Sequence, residues 1–148
     1  MKRILAVLLF TFIANGCVAK MAKPYNYTGF ELDKKFKKLE ESTLTYEADD
    51  ENGGGIYSDE VKIYKSNNNQ CVIISKINGD SGVYGTERIL FFYNSKFKDG
   101  YMWVYSHVSS NKKINYIELI SNKETQDALQ KDLKIYLKKV NKNTLSKC

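Results

Sequence analysis

The chain has few of the side chains on which most enzymes depend. Its 148 residues include one histidine, His107, and three cysteines. A catalytic histidine needs a positioned nucleophile or carboxylate beside it, and the sequence contains no Gly-x-Ser-x-Gly motif. A zinc site needs at least three ligands of the right type. The sequence therefore favours a protein without a catalytic set, a metal or a cofactor.

Carboxylates leave one enzymatic alternative open. A pair of carboxylates in a cleft is sufficient for glycoside hydrolysis, and Glu87 and Glu118 lie in predicted strands. Nothing in the sequence distinguishes these two residues from surface charges. The alternative function is therefore an envelope or secreted enzyme, or a small-ligand carrier with a site between sheet and helix.

Arginine is scarce although the chain is basic. Lysine and arginine total 23 against 17 acidic residues, for a net charge of +6. Beyond the N-terminal segment the only arginine is Arg88, and the lysines are scattered among acidic residues. Nucleic-acid sites usually contain arginine and a clustered basic stripe, so the sequence predicts no nucleic-acid partner.

The N-terminus has the order of segments found in secretory signal peptides. Lys2 and Arg3 form a basic start, and an apolar run of ten residues follows at 4–13. Small and polar residues come next. Ten apolar residues are too few to span a membrane as a helix, whereas basic, apolar and small segments in this order mark an export signal.

The residues around Cys17 suggest how the signal is removed. Ile13-Ala14-Asn15-Gly16-Cys17 resembles the lipobox of bacterial lipoproteins, which implies that residues 1–16 are removed and that Cys17 carries a lipid anchor. The competing interpretation is an ordinary cut after Ala19. Residues 17–27 then form a tether that spans at most about 35 Å when extended. The protein is predicted on the periplasmic face of the bacterial outer membrane, or soluble in the periplasm or secreted if Cys17 is not lipidated.

Two cysteines remain in the predicted domain, residues 28–148. Cys71 and Cys148 form an even pair, which in an oxidising compartment predicts a disulfide. Cys148 is the last residue, and chain ends are seldom ordered without a tether. The disulfide would tie the C-terminal tail to a strand.

Two segments have helical patterns. Thr28 and Glu31 have capping-box spacing, and apolar residues follow at 32, 36 and 39, so a helix is predicted over about residues 30–41. Ser121 and Glu124 form a second capping box, and an apolar stripe begins at Leu129. This stripe predicts a helix over about residues 123–140.

The segments between these helices are rich in β-branched and aromatic residues and are separated by Gly, Asn, Ser and Asp. This pattern is typical of an antiparallel meander. The predicted strands are residues 42–47, 56–65, 71–77, 87–93, 101–105 and 114–120. The fold class is α+β: a single domain with a meander of five or six strands and both amphipathic helices packed on one face.

Two features are candidates for binding. The acidic, glycine-rich loop at residues 49–55 places Asp49, Asp50 and Glu51 where they could enter a basic cleft of a partner. Its resemblance to an EF-hand calcium loop is weak, because the fifth position is glycine and no helices flank it.

Tyr101, Trp103 and Tyr105 share one strand face with His107. This row is either an exposed contact surface or core packed under Leu129, Leu133 and Leu137.

The sequence thus predicts a small exported protein of the bacterial envelope, of lipoprotein type. Export, small size, a predicted disulfide and the lack of a catalytic set favour a non-enzymatic module that binds a protein partner in the envelope. An inhibitor or an immunity protein is an example of this class.

Processing at Cys17 can be tested directly. Mass spectrometry of the protein recovered from its native membrane is expected to find a diacyl or triacyl mass on Cys17. An unmodified N-terminus at Lys20 would show that the ordinary cut after Ala19 is used instead.

Overall fold

A computed structural model describes residues 27–47, 56–66, 70–79, 83–108 and 113–148. The signal segment, most of the tether and the loop at 49–55 lie outside these ranges. The elements in chain order are α1 Gly29–Lys35, β1 Lys37–Glu47, β2 Ile56–Lys65, β3 Cys71–Asn78, β4 Tyr84–Tyr93, β5 Lys96–Val108, β6 Lys113–Ile120, α2 Lys123–Lys139 and α3 Lys142–Leu145.

The strands form one antiparallel sheet, and the predicted meander is confirmed. Its six strands lie side by side in sequence order. Strands β4 and β5 are joined at Asn94 and Ser95, which have φ of 47° and 59°. A two-residue turn with both φ values positive matches the twist of the strands that it connects.

The turn predicted over residues 94–100 is too long. The structure ends the turn at Ser95, and β5 continues through Gly100. A Cβ atom at Gly100 would lie 2.8 Å from the Ile89 carbonyl oxygen and 2.9 Å from Leu129 Cδ1. Glycine at this position therefore serves the close approach of α2 to the sheet, not a turn.

Helix α2 packs on one face of the sheet, close to its predicted bounds. Asn122 caps it by accepting a hydrogen bond from the Thr125 amide, one residue later than the predicted cap at Ser121. Its buried side chains join the strand residues of one core cluster, which includes Val61, Ile63, Cys71, Ile73, Leu90, Phe92, Leu129, Leu133, Tyr136 and Val140. This cluster is the main hydrophobic core.

A buried polar network lies within the α2 face. Ser75 Oγ donates to Asp59 Oδ1 at 2.7 Å, and the Tyr136 hydroxyl donates to Asp59 Oδ2 at 2.9 Å. Burial raises the pKa of Tyr136, and the nearby Asp59 raises it further, so the phenol remains a neutral donor. Because these bonds satisfy a buried carboxylate, they fix the position of α2 on the sheet.

Helix α1 lies on the opposite face, so the prediction that both helices share one face is wrong. Leu32 is fully buried in a second cluster with Tyr64, Val72, Ile89 and other strand residues. Leu39 packs instead against the α2 cluster. The apolar spacing that resembled one helical stripe is therefore divided between the two faces.

The N-terminal helix is also shorter than predicted. Its capping box is present, since Thr28 accepts from the Glu31 amide and the Glu31 carboxylate accepts from the Thr28 amide at 2.8 Å. Phe36 already has extended backbone angles. The residues that follow pair with β2, beginning with Lys37 opposite Lys65. Strand pairing thus overrides the helical pattern beyond Lys35.

The Cys71–Cys148 disulfide predicted from the sequence is present. The two Cα atoms are 5.4 Å apart, and the residues are 77 positions apart in sequence. Cys71 is fully buried in the α2 cluster. Closing a loop of this length contributes roughly 4 kcal/mol in the chain-entropy model, and it ties α3 to the central part of the sheet.

Replacing Leu133 tests the position of α2. Leu133 is 2% exposed, so Leu133→Ala is expected to lower the free energy of unfolding by about 2–5 kcal/mol. The adjacent Lys134 is exposed, and Lys134→Ala should change stability by less than about 0.5 kcal/mol. Urea denaturation of both variants measures the difference. Equal stabilities would place this side of α2 away from the core.

Candidate functional site

Helix α1 covers only part of its face of the sheet. A helix of seven residues is about 10 Å long, whereas six strands extend over about 24 Å. The uncovered part is a cleft of about 840 Å³, bounded by α1 with its cap and by strands β2, β3, β4 and β6. We call it the α1 cleft.

A buried carboxylate lies at the base of the α1 cleft. Glu87 is 2% exposed, and its Oε1 accepts a hydrogen bond of 2.6 Å from the Gly29 amide. Its Oε2 accepts from the Tyr116 hydroxyl at 3.0 Å and lies 3.8 Å from Lys76 Nζ. A buried charge is tolerated when it is paired and hydrogen-bonded in this way.

Glu87 also determines where α1 begins on the sheet. A Cβ atom at Gly29 would lie 2.7 Å from Glu87 Oε2 and 2.8 Å from Ile74 Cγ2. Glycine is therefore required for the helix to approach the carboxylate this closely. The sequence signal for this contact is the position of Gly29 between Thr28 and Glu31 of the capping box. That signal does not identify Glu87, on a distant strand, as the partner.

Two tyrosines around Glu87 remain protonated. Burial raises the pKa of Tyr116, and the Glu87 carboxylate raises it further. The pKa of Tyr105 is raised for the same two reasons: burial is the larger cause and the charge of Glu87 is the second. The wall of the cleft beside Glu87 therefore presents a neutral phenol that donates to a carboxylate.

Charged side chains of both signs line the cleft, and several are already engaged. Lys62 Nζ is 3.1 Å from Glu41, and Asp33 accepts from the Tyr64 hydroxyl at 2.7 Å. Lys113 makes no ion pair among the residues that the structure describes. Its ammonium group is therefore available to a ligand.

An aromatic side chain stands at the rim of the cleft. Phe30 is 64% exposed, and Lys34 Nζ lies 4.0 Å from the centre of its ring. Ile114 and Tyr116 also line the cleft. An exposed aromatic ring beside charged groups is common where proteins bind one another.

The structure places the predicted aromatic row in the core of the α1 face. Tyr101 and Tyr105 are fully buried, and Trp103 is half-buried. The Tyr101 hydroxyl and Trp103 Nε1 donate to the Tyr27 carbonyl at 2.8 and 3.2 Å. The row is thus not an exposed surface, and it does not pack under α2. It supports the chain segment that leads into α1.

The groups considered for catalysis do not come together. Glu87 is opposite Trp103 in the sheet, whereas Glu118 is opposite Val104 and is exposed on the other face. His107 contacts the Tyr105 ring edge-on, with Nε2 3.4 Å from Asn78 Oδ1. Two carboxylates on opposite faces of a sheet cannot act on one glycosidic bond. The hypothesis that Glu87 and Glu118 form such a pair is therefore wrong.

The acidic-loop residues Asp49, Asp50 and Glu51 lie outside the described residues, as does Cys17. Within the described ranges, no three His, Cys, Asp or Glu side chains are arranged to hold a metal ion. The helices of these ranges include none with the length and apolar character needed to cross a membrane.

The residues of the α1 cleft come together only in the folded chain and form no local sequence motif. Lys76, Lys113 and Phe30 are far apart in the chain, and α1 had been expected on the other face. Comparison with protein families, with curated proteins and with solved structures finds no significant match to this chain.

The role of Glu87 can be tested against Glu118, the other carboxylate of the rejected pair. Glu87→Gln keeps the shape but directs an amide group toward donors, so it is expected to lower the free energy of unfolding by about 1–3 kcal/mol. Glu118→Gln, at an exposed position on the other face, should change it by less than about 0.5 kcal/mol. Urea denaturation at neutral pH compares them. An unchanged Glu87→Gln midpoint would mean that the charge does not hold α1.

Proposed function

We propose that the protein is a non-enzymatic binding protein of the bacterial envelope and that it binds a protein partner in the α1 cleft. An inhibitor or immunity protein is an example of this class. The proposal places it on the periplasmic face of the outer membrane through a lipid on Cys17, or free in the periplasm or secreted if the ordinary cut is used. The signal-like N-terminus supports export, and the Cys71–Cys148 disulfide is typical of proteins in oxidising compartments.

The observation that carries the proposal is the composition of the α1 cleft. It combines an exposed aromatic ring, Phe30, with the ammonium group of Lys113, which has no ion-pair partner among the described residues, and with apolar surface at Ile114. Aromatic anchors inside a charged rim are characteristic of protein interfaces. A polypeptide also carries groups of both signs, which suits a cleft with lysines and carboxylates.

The volume of the cleft supports a second candidate. About 840 Å³ lies within the range of roughly 300–1,000 Å³ that is common for small-molecule pockets. A small-ligand carrier would use the same residues. Native mass spectrometry of protein purified from its own cells distinguishes the two, because a carrier should retain a small molecule of defined mass.

Phe30 provides a test of the binding surface. Wild-type protein immobilised on beads is expected to retain a partner from solubilised envelope extract, and Phe30→Ser should bind this partner at least about tenfold more weakly, because it removes an aromatic anchor. Ile135→Ser is the matched control, since Ile135 is 46% exposed on α2, across the sheet.

Affinities of the purified partner for the three proteins decide the outcome. Equal weakening by both substitutions would point to a general effect on folding. Unchanged affinity of Phe30→Ser would remove the α1 cleft from the binding surface. Hydrolysis of an envelope substrate by the wild type would contradict the non-enzymatic proposal itself.

A further inference from the structure

Strand β6 forms an open edge of the sheet. It is the last of the six strands and pairs with β5 alone among the described strands. An edge strand presents backbone N–H and C=O groups that another extended chain can bind. Such edges are normally protected by charges, bulges or covering segments.

The other edge, β1, is protected in these ways. A register shift between Lys38 and Glu40 interrupts its pairing with β2. Lys37, Lys38, Glu40 and Glu41 place charges along its first half. The Asn141 amide also donates to Glu40 Oε1 at 3.3 Å, so the C-terminal segment reaches this edge.

Strand β6 has little of this protection. Lys113 and Glu118 are its only charged residues, and it contains no proline. Ile117 is 54% exposed. It is the extra residue of a register shift, because Tyr105 is opposite Tyr116 and Val104 is opposite Glu118. The regular part of the edge is therefore residues 113–116.

This regular part borders the α1 cleft. Lys113, Ile114 and Tyr116 all line the cleft. Ile114 and Tyr116 are two residues apart and opposite His107 and Tyr105, so both face the α1 side. A chain that paired with residues 113–116 would direct every second side chain of its own over the cleft.

We propose that the protein partner binds by strand addition: an extended segment of it pairs with residues 113–116 of β6 and inserts alternate side chains into the α1 cleft. Backbone hydrogen bonds supply affinity in this mode, and the pockets beside the edge supply specificity. The segment carries an acidic side chain for Lys113 and an apolar side chain for the surface at Ile114 and Phe30. This inference rests on the proposed function.

Charge favours a separate acidic segment over a second copy of this chain. Residues 113–116 contain one lysine and no acidic residue. Two copies paired through this run would bring two Lys113 ammonium groups to the interface without a carboxylate within the run. An acidic segment would instead complement Lys113.

The test uses a displayed library of random ten-residue peptides, selected on the purified full-length, disulfide-bonded protein. Selected peptides should carry an acidic and an apolar residue two positions apart, because only alternate side chains of an added strand lie over the cleft. A bound peptide should slow amide hydrogen exchange of β6 at residues 113–116. Lys113→Glu should weaken binding at least about tenfold because it replaces attraction by repulsion. Lys37→Glu, the matched reversal at the β1 edge, should change affinity less than about twofold, as expected for a distant exposed charge.

The remaining outcomes overturn strand addition and separate its failure from failure of the proposed function. Peptides that bind while β6 exchange is unchanged would leave the cleft as the binding surface without a role for the edge. A second contradicting result is that no peptide is selected while envelope extract still yields a partner whose retention depends on Phe30. This result would also leave the cleft as the binding surface without a role for the edge. A concentration-dependent dimer that slows β6 exchange without peptide would assign the edge to a second copy.

Discussion

The contact between the Glu87 carboxylate and the Gly29 amide is the constraint on which the candidate site depends. A carboxylate at 2% exposure must be neutralised by hydrogen bonds and a nearby cation, and Gly29, Tyr116 and Lys76 supply them. These contacts position the start of α1 at the middle of the sheet. The helix then buries its own Leu32 against the sheet and leaves the α1 cleft beside it.

The two faces of the sheet have different roles because they are covered to different extents. On one face, the seventeen residues of α2 cover the core. Inside that core, the Tyr136 hydroxyl donates a hydrogen bond to the buried Asp59 carboxylate. On the other, the short α1 covers only the residues near Leu32. A closed face contributes stability, whereas a partly covered face leaves cleft-lining side chains such as Phe30 accessible to solvent.

The secondary structure could be predicted because its signals are local. Strand alternation, the capping box at Thr28 and the stripe of α2 each depend on residues a few positions apart. The errors have equally local origins. Gly100 resembled a turn residue but serves close packing against Leu129, and Leu39 extended a helical pattern that pairing of β1 with β2 interrupts.

The sequence by itself determined the antiparallel meander, the approximate bounds of α2 and the cysteine pair, since periodicity and an even cysteine count are properties of the chain order. Only the tertiary structure decided which face α1 covers, that Tyr101 and Tyr105 are core, and that Lys113 and Phe30 line the same cleft. A helix with a narrow apolar stripe can pack on either face of a sheet. On the face that α1 covers, its first residue donates to the buried carboxylate of Glu87, 58 residues away in the chain, and Leu32 packs among strand residues.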